Sequence, residues 1–393
     1  HTSMSPNRTR FALLFLLWCA VPRTGSADPI RELQARATNL GVANWGYWGS
    51  RPDLYHNWDY HSNRLIPAYT FGMKLTAYRG TNSIYRKRAK LMQLYGRLPP
   101  GTWNPSAEYF DQTQLHALQE AAVAQGKKHI FLVIFDGLDW HTTRAAAAYR
   151  SSGNSYSAGR GAGLSFQNYR GVAGDFGYMV TSPHNIGSVP NADLQTIAKT
   201  GGVTGGGYHP ELGGNAPWER PRWPDYLSGS RQEWPDPVTD SAAAATAMNS
   251  GQKTYNAAIN ITPSGRAVIP IARRLQSERG FSVGAVTSVP ISHATPACTY
   301  ANNVSRNDFQ DISRDLLGFP SITHPDKPLP GLDVLIGAGW GVFQASDAGQ
   351  GSNFVPGNRY LTRRDQQQLS TRYELAIRTR GVPGRKALLA AAS

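Results

Sequence analysis

From Asp111 onward, apolar positions along the chain switch between two periods. Leu115, Leu118 and Ala122 recur on one helical face, which predicts a helix that stops near Gly126. Ile130-Phe131-Leu132-Val133-Ile134-Phe135 then gives six apolar residues in a row, ending at Asp136-Gly137. A continuous apolar run after a helix predicts a buried parallel strand, and such sheets collect functional residues at the strand's C-terminal end. Tyr178-Met179-Val180 predicts a short strand. Ala242 to Ala245, with Ala247 and Met248, predicts a helix over 241–250. A further helix is predicted over about 268–278, where Pro270 is tolerable only in the first turn. Val283 to Thr287 reads as a strand, Pro296 as the opening of a helix with Thr295 as its N-cap, and Leu332 to Ile336 as a strand running into Gly337-Ala338-Gly339. This alternation of strand and helix predicts an α/β layered fold.

Ahead of Asp111 the periodicity is poor. Residues 28–110 are rich in aromatics (Trp45, Trp48, Tyr55, Trp58, Tyr60, Tyr69), and are expected to form an irregular segment packed on the core. Earlier still, Arg8 and Arg10 precede an apolar run from Phe11 to Val21 that is too short to span a bilayer. Gly25-Ser26-Ala27 follows with small residues, the pattern of a secretory signal. His1-Thr2-Ser3 before Met4 reads as a tag remnant. The expected organisation is therefore 1–27 as tag remnant and signal peptide, 28–110 as the aromatic-rich segment, and 111–393 as the main domain. The location is expected to be secreted or periplasmic, with no stable membrane insertion after cleavage. Cys298 is then the single cysteine of the mature chain.

The chain has 393 residues, 40% of them hydrophobic, enough for a large core. Its formal charge is +14, but Lys and Arg are scattered and form no stripe, so nucleic acid is not an expected partner. The glycines from Gly201 to Gly207 lack the Gly-Lys-Ser/Thr ending of a nucleotide loop.

Candidate chemistry centres on Val238-Thr239-Asp240-Ser241, which puts a hydroxyl at a helix N-terminus where amides and dipole favour an anion. The bland alternative is that Asp240 or Ser241 merely caps the helix, and on physics alone that alternative is the stronger. No Gly-x-Ser-x-Gly elbow surrounds Ser241, which argues against acyl transfer. A serine without such a base needs another activator, usually a metal ion.

The stretch from Val238 to Ala258 closely resembles the nucleophile segment of the alkaline phosphatase family. Three other segments match in order. Phe135-Asp136-Gly137-Leu138 resembles the family's first metal-ligand motif. His293-Ala294-Thr295-Pro296-Ala297 resembles its magnesium-side segment. Ser305-Arg306 falls where the family keeps its phosphate-binding arginine, and Gly337-Ala338-Gly339 is similar to a glycine cluster that follows. The resemblance implies a three-layer α/β/α sandwich with a mostly parallel central sheet, incomplete at its C-terminus. It also implies hydrolysis of small phosphate monoesters through a phosphoserine, two Zn2+ ions and one Mg2+, and a homodimer.

Carried over residue by residue, Ser241 would attack phosphorus in line, Asp240 would orient Arg306, and Arg306 would clamp two phosphoryl oxygens. Asp136 would bridge ions. Thr295 would offer its hydroxyl to magnesium, in competition with its N-cap role. The family places Asp or His at the position of His293, near the third metal.

The chain departs from the family after the glycine cluster. No Glu-Gly-Gly stretch, Asp-His pair or late histidine appears between 345 and 393, and His324 is the last histidine. A truncated or frameshifted product, a partial domain completed elsewhere, and substitution by His184, His209 or Glu211 are the three readings of this. Asp139 also differs from the family's small residue and either adds charge near the ions or points away. The alternatives to a monoesterase are a phosphate- or metal-binding protein without turnover and a phosphodiesterase of the same superfamily. Ser241 with Arg306 favours monoesters over diesters.

Overall fold

A computed structural model describes residues 63–151, 153, 155–202, 205–222, 226, 238–377 and 384–391. The signal-peptide segment and Trp45, Trp48, Tyr55, Trp58 and Tyr60 lie outside the described residues. All described residues belong to one compact unit.

The first sheet is mixed. Strand β1 (Ile66–Thr70) leads to helix α1 (Arg88–Tyr95), strand β2 (Phe110–Asp111), helix α2 (Gln114–Ala124) and helix α3 (Trp140–Arg150). Strand β3 (Asp175–Val180) lies between β1 and β2, antiparallel to β1 with Ile66 opposite Met179, and parallel to β2 with Phe110 opposite Met179. Strands β4 (Val189–Asn191) and β5 (Thr196–Lys199) form an antiparallel hairpin. Helix α4 (Ser241–Ser250) and helix α5 (Ile271–Arg279) follow. Strand β6 (Gly284–Pro290), the short helix α6 (Ala294–Ala297), helix α7 (Phe309–Leu317) and strand β7 (Val334–Ala338) complete the central part. β6 and β7 pair in parallel, with Ala285 opposite Leu335.

Two cores hold these elements. In the first, Leu115 and Leu118 of α2, Ala242, Ala245 and Met248 of α4, and Ile312 and Leu316 of α7 are buried together. The second is aromatic: Tyr85, Tyr95, Tyr109, Tyr178 and Tyr208 are all buried. Their hydroxyls need partners inside, and Tyr85 and Tyr95 find them in each other (3.0 Å), in Asp111 (2.7 Å) and in Ser182 (2.8 Å).

The helices over 114–124, 241–250 and 271–279 and the strands at 175–180, 284–290 and 334–338 fall close to where the hydrophobic pattern puts them. The run Ile130–Phe135 does not form the predicted buried strand. Ile134 packs on the first core, but Phe131 is 86% and Val133 72% exposed, and no described strand pairs with the run. A parallel strand buries both faces only when layers cover both, and here only the Ile134 side is covered. The mixed helix-and-sheet character stands, while the described strands lie in one three-stranded and four two-stranded sheets. Among the described residues no helix is long and apolar enough to cross a membrane.

Candidate active site

Helix α4 begins where it does because Asp240 is extended (φ −90°, ψ 171°) and its side chain accepts from the Ala243 amide at 2.8 Å. It ends at Gly251, whose φ of +69° suits a left-handed cap. Between them the small alanines allow close seating. Cys298 Sγ, just past α6, lies 3.5 Å from the Ala242 carbonyl, and Gln119 of α2 donates to the Met248 carbonyl at 2.9 Å. The N-terminus of α4 is thus held by packing as well as by its cap.

Around that N-terminus three of the predicted residues meet. Arg306 Nη1 donates to Ser241 Oγ at 3.0 Å and to Asp240 Oδ2 at 3.1 Å. Asp240 Oδ2 also accepts from the Ala257 amide at 2.9 Å. The Arg306 amide in turn donates to the Ala257 carbonyl at 2.7 Å, so Ala257 holds both members of the ion pair through its backbone. Asn256 completes the frame, accepting from the Asp240 amide (3.0 Å) and donating to the Val238 carbonyl (2.9 Å). Neither Asn256 nor Ala257 stood out as a single residue in the sequence. The one signal was that both lie inside the Val238–Ala258 stretch. Asp240 is therefore a cap and an orienter at once, because its two oxygens serve different partners.

Asp136 and Thr295 form a second group. Thr295 Oγ1 donates to Asp136 Oδ2 at 2.8 Å. The predicted N-cap role of Thr295 is not what is found: the cap is His293, α6 starts at Ala294, and the Thr295 hydroxyl is left for Asp136. The short helix α6 that carries Thr295 packs against α4, the helix that Ser241 opens. His293 makes contacts of its own. Its ring stacks on Phe309 at 5.5 Å and its Nε2 lies 3.4 Å from the Tyr360 hydroxyl. Burial, with Arg306 and Arg359 nearby, pulls its pKa below the ordinary value.

Asp139 has partners of its own. It caps α3 through Thr142 (2.7 Å) and pairs with Arg64 (2.6 Å). Burial works to raise its carboxyl, but Arg64 and Thr142 outweigh that and hold it below the usual range. His184 is turned toward Gly96, and His209 is wedged against Gly101, where a side chain would meet its ring at 2.0 Å. Glu211 sits in the first turn of the short helix Pro210–Gly213. No described hydrogen bond joins any of these three to Ser241 or Asp136.

Fit to a metal divides by metal type. A carboxylate oxygen and a hydroxyl oxygen in contact fit part of the shell of a hard ion such as magnesium, which keeps several waters. The nitrogen-rich sets that zinc commonly takes are not gathered: among the described residues no group of three or more His, Cys, Asp or Glu could hold an ion.

Comparison with known proteins gives matches over part of the chain. Residues 220–392 match the sequence model of the alkaline phosphatase family. Alkaline phosphatase 4 of Bacillus subtilis (strain 168) is 34% identical over 144 residues, covering 35% of this chain and 29% of the relative. Streptomycin-6-phosphate phosphatase of Streptomyces griseus is 36% identical over 70 residues, covering 18% of this chain and 16% of the relative. A solved cold-active alkaline phosphatase from Shewanella sp. is 34% identical over 27% of this chain and 24% of that one, with a TM-score of 0.23. The chain is thus similar to the alkaline phosphatase family over its residues 220–392. It spans less than a third of the length of the relatives it matches.

Proposed function

We propose that this chain hydrolyses phosphate monoesters with Ser241 as the nucleophile. The observation that carries the reading is the bond from Arg306 Nη1 to Ser241 Oγ at the first turn of α4. A phosphoryl group bound there meets a guanidinium on one side and, on the other, the first-turn amides that Asp240 leaves free, which have no partner within the helix. Arg306 is fixed by Asp240 and Ala257, so little reorganisation is needed as charge develops. Ser241 Oγ forms the bond to phosphorus, the P–O bond to the alcohol breaks, and the alcohol leaves with the proton. Water then attacks the phosphoserine and inorganic phosphate is released, regenerating the serine. Asp136 and Thr295 would hold a magnesium ion, which when bound supplies positive charge that lowers the proton affinity of a coordinated hydroxyl.

The three-layer sandwich belongs to this reading, supported by the parallel β6–β7 pair with Ala285 and Leu335 packed on the first core. A secreted or periplasmic location rests on the pattern of residues 4–27. A second reading, phosphate capture without turnover, is favoured by the missing three-ligand cluster among the described residues.

The two separate on one assay with a chromogenic phosphate monoester. An enzyme turns it over, loses activity with chelator and recovers it with added metal, and Ser241→Ala lowers the rate by at least about 10³-fold. Phosphate binding with no turnover at any metal concentration would sink the catalytic reading and leave the capture reading standing.

A further inference from the structure

Arg306 sits in a loop, Asn303–Asp308, whose shape is set from inside and from outside. Inside, Asn303 Nδ2 donates to Asp308 Oδ2 at 2.8 Å, and the Ser305 amide donates to Asn303 Oδ1 at 2.9 Å. From outside come two side chains: Tyr255, whose hydroxyl donates to the Val304 carbonyl at 2.8 Å, and Gln195, at the tip of the β4–β5 hairpin, which makes more bonds to the loop. Its Oε1 accepts from the Val304 amide at 3.2 Å. Its Nε2 lies 3.3 Å from Asn303 Oδ1, 3.3 Å from Asp308 Oδ2 and 2.8 Å from the Ala192 carbonyl. The amide therefore touches both ends of the arginine loop while tied to its own turn. Gln195 takes a φ of +49°, a left-handed conformation unusual for a residue with a side chain. The hairpin that presents it is seated twice more: Ile197 packs on the cluster of Tyr255, Ala258, Ile261 and Val304, and Asp193 accepts from the Ser352 amide (2.6 Å) and hydroxyl (2.9 Å).

We infer that Gln195 is a positioning residue for Arg306, and that the β4–β5 hairpin is the strut that fixes the anion clamp. The inference rests on the proposed role of Arg306 in holding phosphate. A neutral amide suits the task because it offers a donor to Asp308 and an acceptor to Val304 at once, which a carboxylate or an ammonium cannot do. Without the strut the loop keeps its internal bonds and its bonds to Tyr255 and Ala257 but gains freedom on the hairpin side, and Arg306 must be ordered again each time an anion binds.

The test is calorimetric titration of the full chain with inorganic phosphate, alongside thermal unfolding. Gln195→Ala is expected to weaken binding roughly tenfold, the effect of releasing one or two neutral hydrogen bonds. Gln195→Met, which keeps the volume and removes the amide, should weaken it equally. In an Arg306→Ala background, Gln195→Ala should add no further loss, since the strut then has nothing to position. Wild-type affinity in Gln195→Ala or Gln195→Met, or a full additive loss in the double variant, overturns the inference and leaves the phosphatase reading untouched. A wild-type chain that binds no phosphate overturns both. Turnover of a chromogenic monoester, read separately, decides the catalytic reading without bearing on the strut.

Discussion

Among single residues Ala257 carries an unusual burden. Its φ of +78° lies in the left-handed region, where a Cβ costs about 1–2 kcal/mol. It stays there because its amide serves Asp240 and its carbonyl serves the Arg306 amide. Strain of this kind persists only where the surroundings over-determine it. Glycine would relieve the strain at an entropic cost of about 0.5–1 kcal/mol. Ala257→Gly is therefore expected to stabilise the protein by roughly 0.5–1 kcal/mol in urea unfolding, with phosphate affinity unchanged. A destabilised variant would show that the Cβ, not the backbone, is what matters at this position.

At the scale of elements, α4 was legible because its signals are local. The alanine run, the Asp before it and the glycine after it each act within a turn. Ile130–Phe135 was not, since a run is a strand only by virtue of its neighbours, and a six-residue apolar run does not say which of its faces will be covered. Thr295 lies two positions past the observed cap, His293, because Ser, Thr and Pro signals do not separate an N-cap from a first-turn residue. Gln195 could not have been found at all: it lies 109 residues before Val304, and nothing in its own surroundings marks it. The site's first ring was therefore readable from resemblance, while its support was not.

Asp240 also joins the helix to the chemistry, and its two roles can be parted. Asp240→Asn keeps a cap oxygen and should cost under about 1 kcal/mol of stability, yet it removes the charge facing Arg306. Asp240→Ala removes both, and should cost about 1–3 kcal/mol because the Ala243 and Ala257 amides lose their acceptor. Urea unfolding of the two variants, with phosphate titration, checks this. Equal stability losses would mean the cap is not what Asp240 contributes.

For the molecule as a whole, one buried carboxyl should shape the dependence of stability on pH. Burial, then Asp311, pushes Asp308 up to about 7, against the pull of Asn303 and Arg314, with Asp315 adding to the rise. The folded protein then holds a proton that the unfolded chain releases near pH 4. More protons are bound in the folded state between these values, so this contribution is complete below about pH 4 and fades as pH climbs toward 7. At about 1.4 kcal/mol per unit the change is on the order of a few kcal/mol. Asp308→Asn should flatten the fall, seen as a smaller difference between urea midpoints at pH 5 and pH 7.5. An unaltered slope would place the titration elsewhere.

Two residues past the glycine that ends α4, Lys253 reaches across to the aromatic core, where its ammonium meets Asp111 at 2.9 Å and the Ser182 carbonyl at 2.8 Å, with both side chains of the ion pair buried. The alanine face of α4 meanwhile lies in the other core. Helix α4 and the segment that follows it are thus moored in both cores. Losing Asp111 would strand a buried charge at about 3–5 kcal/mol, so melting one core while the other persists carries a cost of that order at the seam. The cost couples order around Ser241 to order in the aromatic core, and opposes local fraying at the start of α4.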